Sequence, residues 1–145
     1  MITHSERETE EVGERLAATL EDSDAVYLIG DLGAGKTCFA RGLARGRGAS
    51  ERQVASPTFA IVHEYAGSSG EIVLRHIDLY RLKDTLAELE VLGLPDSVGG
   101  APVVVEWPGQ TIQQILPPTI RVVIDQQPDG ARAIQIHRGE PRAVS

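Results

Sequence analysis

Eight consecutive residues, Gly30-Asp31-Leu32-Gly33-Ala34-Gly35-Lys36-Thr37, fit the pattern G-x-x-x-x-G-K-S/T at every fixed position. A chain of phosphates needs many donors in a small volume. Glycines let successive backbone N–H groups turn inward into an anion-binding concavity. A helix that starts where the loop ends adds its own N-terminal N–H groups and dipole. In that arrangement Lys36 reaches the β- and γ-phosphates, and the Thr37 hydroxyl goes to magnesium. The chemistry predicted is binding of a nucleoside triphosphate with Mg2+. The bland alternative is a tight strand-to-helix turn without a ligand. The apolar strand before the loop and the helix after it are the context the phosphate mechanism demands.

Magnesium also needs oxygen ligands, and attack by water needs an orienting or basic group. Two acids stand at the ends of apolar runs. Glu106 closes Val103-Val104-Val105, and could hold magnesium through water or orient the attacking water. Asp78 closes Ile72–Ile77 in the stretch His76-Ile77-Asp78-Leu79-Tyr80-Arg81. Either acid could instead only cap the next segment. Thr58, in Ser56-Pro57-Thr58-Phe59, falls in a loop that in GTPases supplies a threonine sensing the γ-phosphate. His63 and His76 have no Cys or His partner at metal spacing and read as residues on strand faces. Trp107 either packs as core or lies over the nucleotide; the spacing leaves both open.

The elements that must carry these residues follow from pattern. Ser5 and Glu8 have capping-box spacing, and Val12, Leu16 and Leu20 form an apolar stripe, so a helix runs to about Glu21. Ala25–Gly30 reads as a buried strand, and a helix follows from Lys36 to about Arg45, ended by Gly46 and Gly48. Phe59–Ala66 and Glu71–Asp78 read as a hairpin around Gly67-Ser68-Ser69-Gly70. A four-residue loop there sets Ala66 opposite Glu71 and Phe59 opposite Asp78. Thr85–Leu92 and Ile112–Leu116 read as short helices, and Pro102–Glu106 as a buried strand. Thr119–Asp125 and Ala131–His137 form a last hairpin. Alternating strands and helices predict an α/β layered domain, and the hairpins make its sheet mixed.

The chain has 145 residues, a length suited to one domain, expected over 1–138 with a loose tail over 139–145. A net charge of −7 argues against strong direct binding to nucleic acid. Arg41, Arg45 and Arg47 read as a solvated helix end rather than a basic patch. Cys38 is the single cysteine, which excludes an internal disulfide and fits a reducing cytoplasm. No apolar run approaches the roughly 18 residues of a membrane span, so no membrane partner is expected.

In order along the chain, the glycine-rich loop, Ser56-Pro57-Thr58-Phe59, His76-Ile77-Asp78-Leu79-Tyr80-Arg81 and Glu106-Trp107 resemble the motifs of the TsaE family, bacterial ATPases of tRNA threonylcarbamoyladenosine biosynthesis. The resemblance spans nearly the whole chain. It implies a small P-loop α/β/α sandwich and Mg-dependent ATP hydrolysis, weak in the isolated protein. It implies partners TsaD and TsaB, with tRNA reached only through that complex. Lys36 and Thr37 carry over as phosphate and magnesium contacts, Asp78 and Glu106 as the acidic pair, and Arg132 as a nucleotide contact. Cys38 is counted among the nucleotide-binding residues by its place. Many relatives have a second threonine there, so the secondary contact to the α-phosphate is a point at which the resemblance departs. Two rival functions use the same loop. One is a small-molecule or nucleotide kinase, which needs an acceptor pocket and usually an arginine-bearing lid. The other is a binding module that uses ATP as a switch, against which the second acid Glu106 argues.

Overall fold

A computed structural model describes residues 1–31, 33–50, 62–80, 85–91, 93 and 99–139. Strand β1 (Ile2–Thr3) precedes helix α1 (Glu6–Ala17), whose start is fixed by Ser5: its hydroxyl accepts the Glu8 N–H at 3.1 Å. The Glu8 carboxylate returns to the N–H of His4 at 2.7 Å, one residue ahead of a standard capping box. Strand β2 (Ala25–Ile29) leads through the glycine loop into α2 (Lys36–Gly46). Then come β3 (Val62–Ala66), β4 (Ile72–Asp78), α3 (Leu86–Val91), β5 (Val103–Glu106), α4 (Gln110–Ile115), β6 (Ile120–Gln126) and β7 (Arg132–Arg138).

Among the described residues the strands form one seven-stranded sheet in the order β1-β7-β6-β2-β5-β4-β3. Its centre is parallel, β2 lying between β5 and β6 with β4 beyond β5. Both edges are antiparallel. The sheet is therefore mixed, as the two hairpins require. Because side chains alternate along a strand, the register divides them between two faces. Val26, Leu28, Leu74, Val104 and Val122 meet Leu16 of α1 and Phe39 and Leu43 of α2. Ala25, Tyr27, Ile77, Val103 and Val105 meet Leu89 of α3 and Ile112 of α4. The result is a three-layer α/β/α sandwich. Phe39 and Leu43 are fully buried, each stabilising the fold by about 1.5–3 kcal/mol relative to exposure.

Helices α1 and α2 approach very closely. A Cβ on Gly42 would lie 2.0 Å from the backbone oxygen of Glu10, and one on Gly13 would lie 2.5 Å from that of Phe39. Ion pairs lace the same seam: Glu10 takes Arg41 at 2.7 Å and Arg45 at 3.0 Å, and Glu14 takes Arg45 at 3.0 Å. Arg47 donates to the carbonyl of Val73 at 3.1 Å and pairs with Asp22 at 3.2 Å. The expected solvated helix end holds for Arg41 and Arg45, whose side chains are half exposed, and is refined for the less exposed Arg47. These arginines tie α2 to α1, to the turn after it and to β4, because acids on α1 fall opposite them.

Two expectations are corrected. In the β3–β4 hairpin Val62 faces Ile77 and Tyr65 faces Leu74, with an irregularity between Tyr65 and Ala66, so that Ala66 faces Ile72 and not Glu71. The main register is displaced by two residues from the expected one. A shift of two keeps every side chain on its face, so Tyr65 still joins the α2 side. Phe59 lies outside the described residues. Strand β1 was not expected: it pairs Ile2 with Ala133, and the terminal amine donates to the carbonyl of Ile134 at 3.0 Å. Two residues are too few to show a period. Residues 140–145 of the expected tail lie outside the described residues.

Candidate functional site

The sheet order changes direction at β2, whose neighbours β5 and β6 return from opposite sides of the chain's path. In open α/β sheets ligands bind in the crevice at the carboxyl ends of the strands at such a point. The glycine loop leaves β2 there. Gly33 and Gly35 have φ of 81° and 109°, a region other residues rarely adopt. Gly30 is needed for space, since a Cβ would lie 2.5 Å from the backbone oxygen of Ile124. Gly35 is the N-cap of α2 and supplies no side-chain hydrogen bond, so no side chain caps the helix end that faces the crevice.

Lys36 is 5% exposed, and its ammonium donates to the carbonyl of Gly30 at 2.6 Å. The same nitrogen sits 3.5 Å from the centroid of the Trp107 ring. Burial lowers the Lys36 pKa, partly offset by the carboxylates of Glu106, Asp78 and Asp31. Trp107 has φ 58°, unusual for a bulky residue, as the chain turns off β5 into Pro108. The turn brings its indole over Lys36 and against Tyr80, with ring centroids 4.9 Å apart. Of the two roles left open for Trp107, the structure favours a place over the pocket.

Register places the acids. Asp78 faces Glu106 across β4 and β5, and Leu28 faces Glu106 across β2 and β5. Leu28 belongs to the α1–α2 face, so Asp78 and Glu106 point to the side where α2 begins. Asp78 accepts the N–H of Tyr80 at 3.0 Å. Glu106 is 5% exposed and meets His76 Nε2 through Oε2 at 2.6 Å. His76 is therefore more than a residue on a strand face. The sequence did not show this pair, because its members stand 30 residues apart. His63, facing His76 on β3, has its pKa lowered by burial and by His76, against Asp78.

A cavity of about 510 Å³ gathers Gly33, Gly35, Lys36, Thr37, Cys38, Asp78, Glu106, Trp107 and Arg132 of the sequence candidates. That volume suits a small-molecule ligand. Its further wall is His4, Ser5, Glu6 and Thr9, of which the sequence singled out Ser5 alone, and only as a helix cap. Arg132 holds the loop in shape, donating to the carbonyls of Ala34 at 2.7 Å and Gly33 at 3.2 Å. Half-buried Cys38 is approached by Arg41 at 3.9 Å. Ala34 is buried beneath the loop, while Gly30 and Asp31 lie at a second cavity beside Lys36 and Trp107. Leu32 and Thr58 lie outside the described residues. Among the described residues no three His, Cys, Asp or Glu side chains form a metal cluster. Thr37, Asp78 and Glu106 are hard oxygen donors on one cavity, a set that fits magnesium, which takes few protein ligands beside phosphate oxygens. No described helix is long and apolar enough to cross a membrane.

Comparison with known proteins agrees with this arrangement. The family threonylcarbamoyl adenosine biosynthesis protein TsaE matches residues 3–134. A TsaE protein of Streptomyces coelicolor is 42% identical over 118 residues, covering 80% of this chain and 78% of its own. One from Bacillus subtilis is 39% identical over 133 residues, covering 91% and 80%. The crystal structure of YdiB from Bacillus subtilis superposes with a TM-score of 0.66 at 32% identity, covering 92% of this chain and 80% of that one. The motifs, the P-loop fold and these matches agree: the chain belongs to the TsaE family of tRNA threonylcarbamoyladenosine biosynthesis.

Proposed function

We propose that this chain is the ATPase of its pathway: it binds ATP with Mg2+ in the crevice at the end of β2 and hydrolyses it slowly when alone. Hydrolysis supports turnover of a TsaB–TsaD complex in the cytoplasm, with tRNA engaged only through that complex. One observation carries the reading. The uncapped start of α2, Lys36, Thr37 and two carboxylates from different strands line the same cavity. A binding clamp needs the first three; the acids add a means to orient water.

The division of labour follows from chemistry. Loop N–H groups and the α2 dipole receive the phosphates. Lys36 exchanges its contact with Gly30 for the β- and γ-phosphates, lifting the ammonium from beneath Trp107. Thr37, with Glu106 or Asp78, would hold magnesium, which when bound would supply positive charge for the phosphate oxygens. Glu106 orients the attacking water or accepts its proton. Arg132 keeps the loop carbonyls turned away, so that the N–H groups face the ligand.

Calorimetry with Lys36→Ala tests binding: affinity should fall at least about 100-fold, since the bound phosphates lose their fixed cation. Unchanged affinity would remove the loop from the site. Glu106→Gln should slow single-turnover hydrolysis far more than it weakens binding. Adding TsaB and TsaD should change the ATP turnover of the wild type. Stimulation by a phosphoryl acceptor instead would favour a kinase, and tight salt-sensitive binding of tRNA to the lone chain would contradict the indirect role.

A further inference from the structure

Glu106 sits at a strand end with 5% of its surface exposed, where a free carboxylate would rotate about its side-chain torsions. A group that must place a water or a cation to within a fraction of an ångström needs a second group to hold it. His76 stands where such a group is required. It lies two residues before Asp78 on β4, and Asp78 faces Glu106, so His76 and Glu106 are diagonal neighbours on one face of adjacent parallel strands. Its ring is 9% exposed, and its Nε2 reaches Glu106 Oε2 at 2.6 Å, the short distance of a charge-assisted hydrogen bond. Among the described residues Glu106 Oε1 has no hydrogen-bond partner, and Glu106 lines the cavity.

We propose that His76 is a positioning residue for ATP hydrolysis: its Nε2–H grips one oxygen of Glu106 and leaves the other for the cavity. The inference rests on the ATPase reading above. A carboxylate offers only acceptors, so the contact requires the ring proton on Nε2. His76 does not line the cavity, so it acts through Glu106 and not on the nucleotide. Its removal should therefore cost rate and spare affinity. The competing role is plain structural satisfaction of a buried acid, which predicts a loss of stability with no particular effect on rate.

Three variants separate the two. His76→Leu should slow single-turnover hydrolysis by about 10- to 100-fold, the usual cost of losing such a supporting bond, with ATP affinity within about threefold of wild type. His76→Gln, whose amide nitrogen can take the place of Nε2, should recover most of the rate. In a Glu106→Gln background His76→Leu should slow hydrolysis by less than about twofold more, because coupled residues are not additive. Should His76→Leu fail to fold, His76→Asn, polar but too short to reach Oε2, takes its place. A normal rate in either variant, full additivity with Glu106→Gln, or no recovery with Gln would overturn the proposal. Histidine-ring nitrogen NMR reads the pair without any turnover. The His76 signal should show a proton on Nε2 that shifts in Glu106→Gln, and a bare Nε2 would overturn the positioning role. A wild type that binds and hydrolyses no ATP would sink the ATPase reading, and with it the role in hydrolysis, even if the ring signal confirmed the pair.

Discussion

On one face of the sheet α1 and α2 approach until Gly42 has no room for a Cβ, with Glu10 and Glu14 pairing to Arg41 and Arg45 across the seam. On the other face α3 and α4 are six residues each and cover the sheet through Leu89 and Ile112. The difference matches what each side must do. The first face holds α2, whose N-terminus opens on the cavity, and a misplaced donor there loses most of its value. The second backs the carboxyl ends of β4 and β5, from which Trp107 reaches over Lys36 with Tyr80 packed against its ring. On the proposed reading Lys36 leaves the Trp107 ring as the phosphates bind, and a thinner layer behind that ring leaves it room to adjust.

The contrast can be broken by substitution. Gly42→Ala should have the largest effect, costing about 3 kcal/mol or more, because the new methyl meets backbone that cannot yield without separating the helices. Urea unfolding measures the loss, and ATP affinity should fall with it as α2 shifts. A change below about 1 kcal/mol would mean that the seam is loose. Ile112→Ala, fully buried on the thin face, should cost about 2–3 kcal/mol, with ATP affinity nearly unchanged. An equal loss of binding in both variants would erase the distinction between the faces.

Lys36→Met sharpens the comparison at the seam of the two regions. Burial lowers the pKa of Lys36, so the fold disfavours its charged form relative to the unfolded chain. That penalty is present wherever the folded lysine is protonated, and it fades as pH rises above the lowered folded pKa. The nucleotide-free Met variant should therefore be more stable near neutrality, by about 1 kcal/mol, with the gain shrinking in alkaline solution. Thermal melts at two pH values read the sign, and a destabilised variant near neutrality would show that the contacts with Gly30 and Trp107 outweigh burial. Trp107 is the single tryptophan, so its emission should also change once the ammonium beneath it is gone.

The smallest effect is expected at Glu10→Gln. The hydrogen bond from Arg41 is the main cause lowering the Glu10 pKa, ahead of its bond and attraction to Arg45. A depressed carboxyl stabilises the fold above the ordinary carboxylate range and loses that contribution as pH falls through its folded value. The variant should cost about 0.5–1 kcal/mol at neutral pH, and the gap should close in acid. A gap that widened in acid would contradict the pairing.

What could be read in advance was whatever one segment encodes by itself. The glycine loop is eight neighbouring residues, whose glycines set the backbone from which the Lys36 and Thr37 side chains project. Apolar runs announced β2, β4 and β5, and put Asp78 and Glu106 at strand ends where a crevice could use them. Contacts across elements were not legible in this way. His76 meets Glu106 at a separation of 30 residues, and Arg132 holds Ala34 at a separation of 98. The two-residue strand β1 has meaning only beside β7. The hairpin register depended on the length of the connection and on an irregularity at Tyr65 and Ala66, neither of which alternation reveals. The physical reason is common to all of these. Spacing along a chain determines which side chains share one helix face or one strand face. Which oxygen of Glu106 is held, and by what, depends on the register between β4 and β5, and register is settled only when the whole sheet packs.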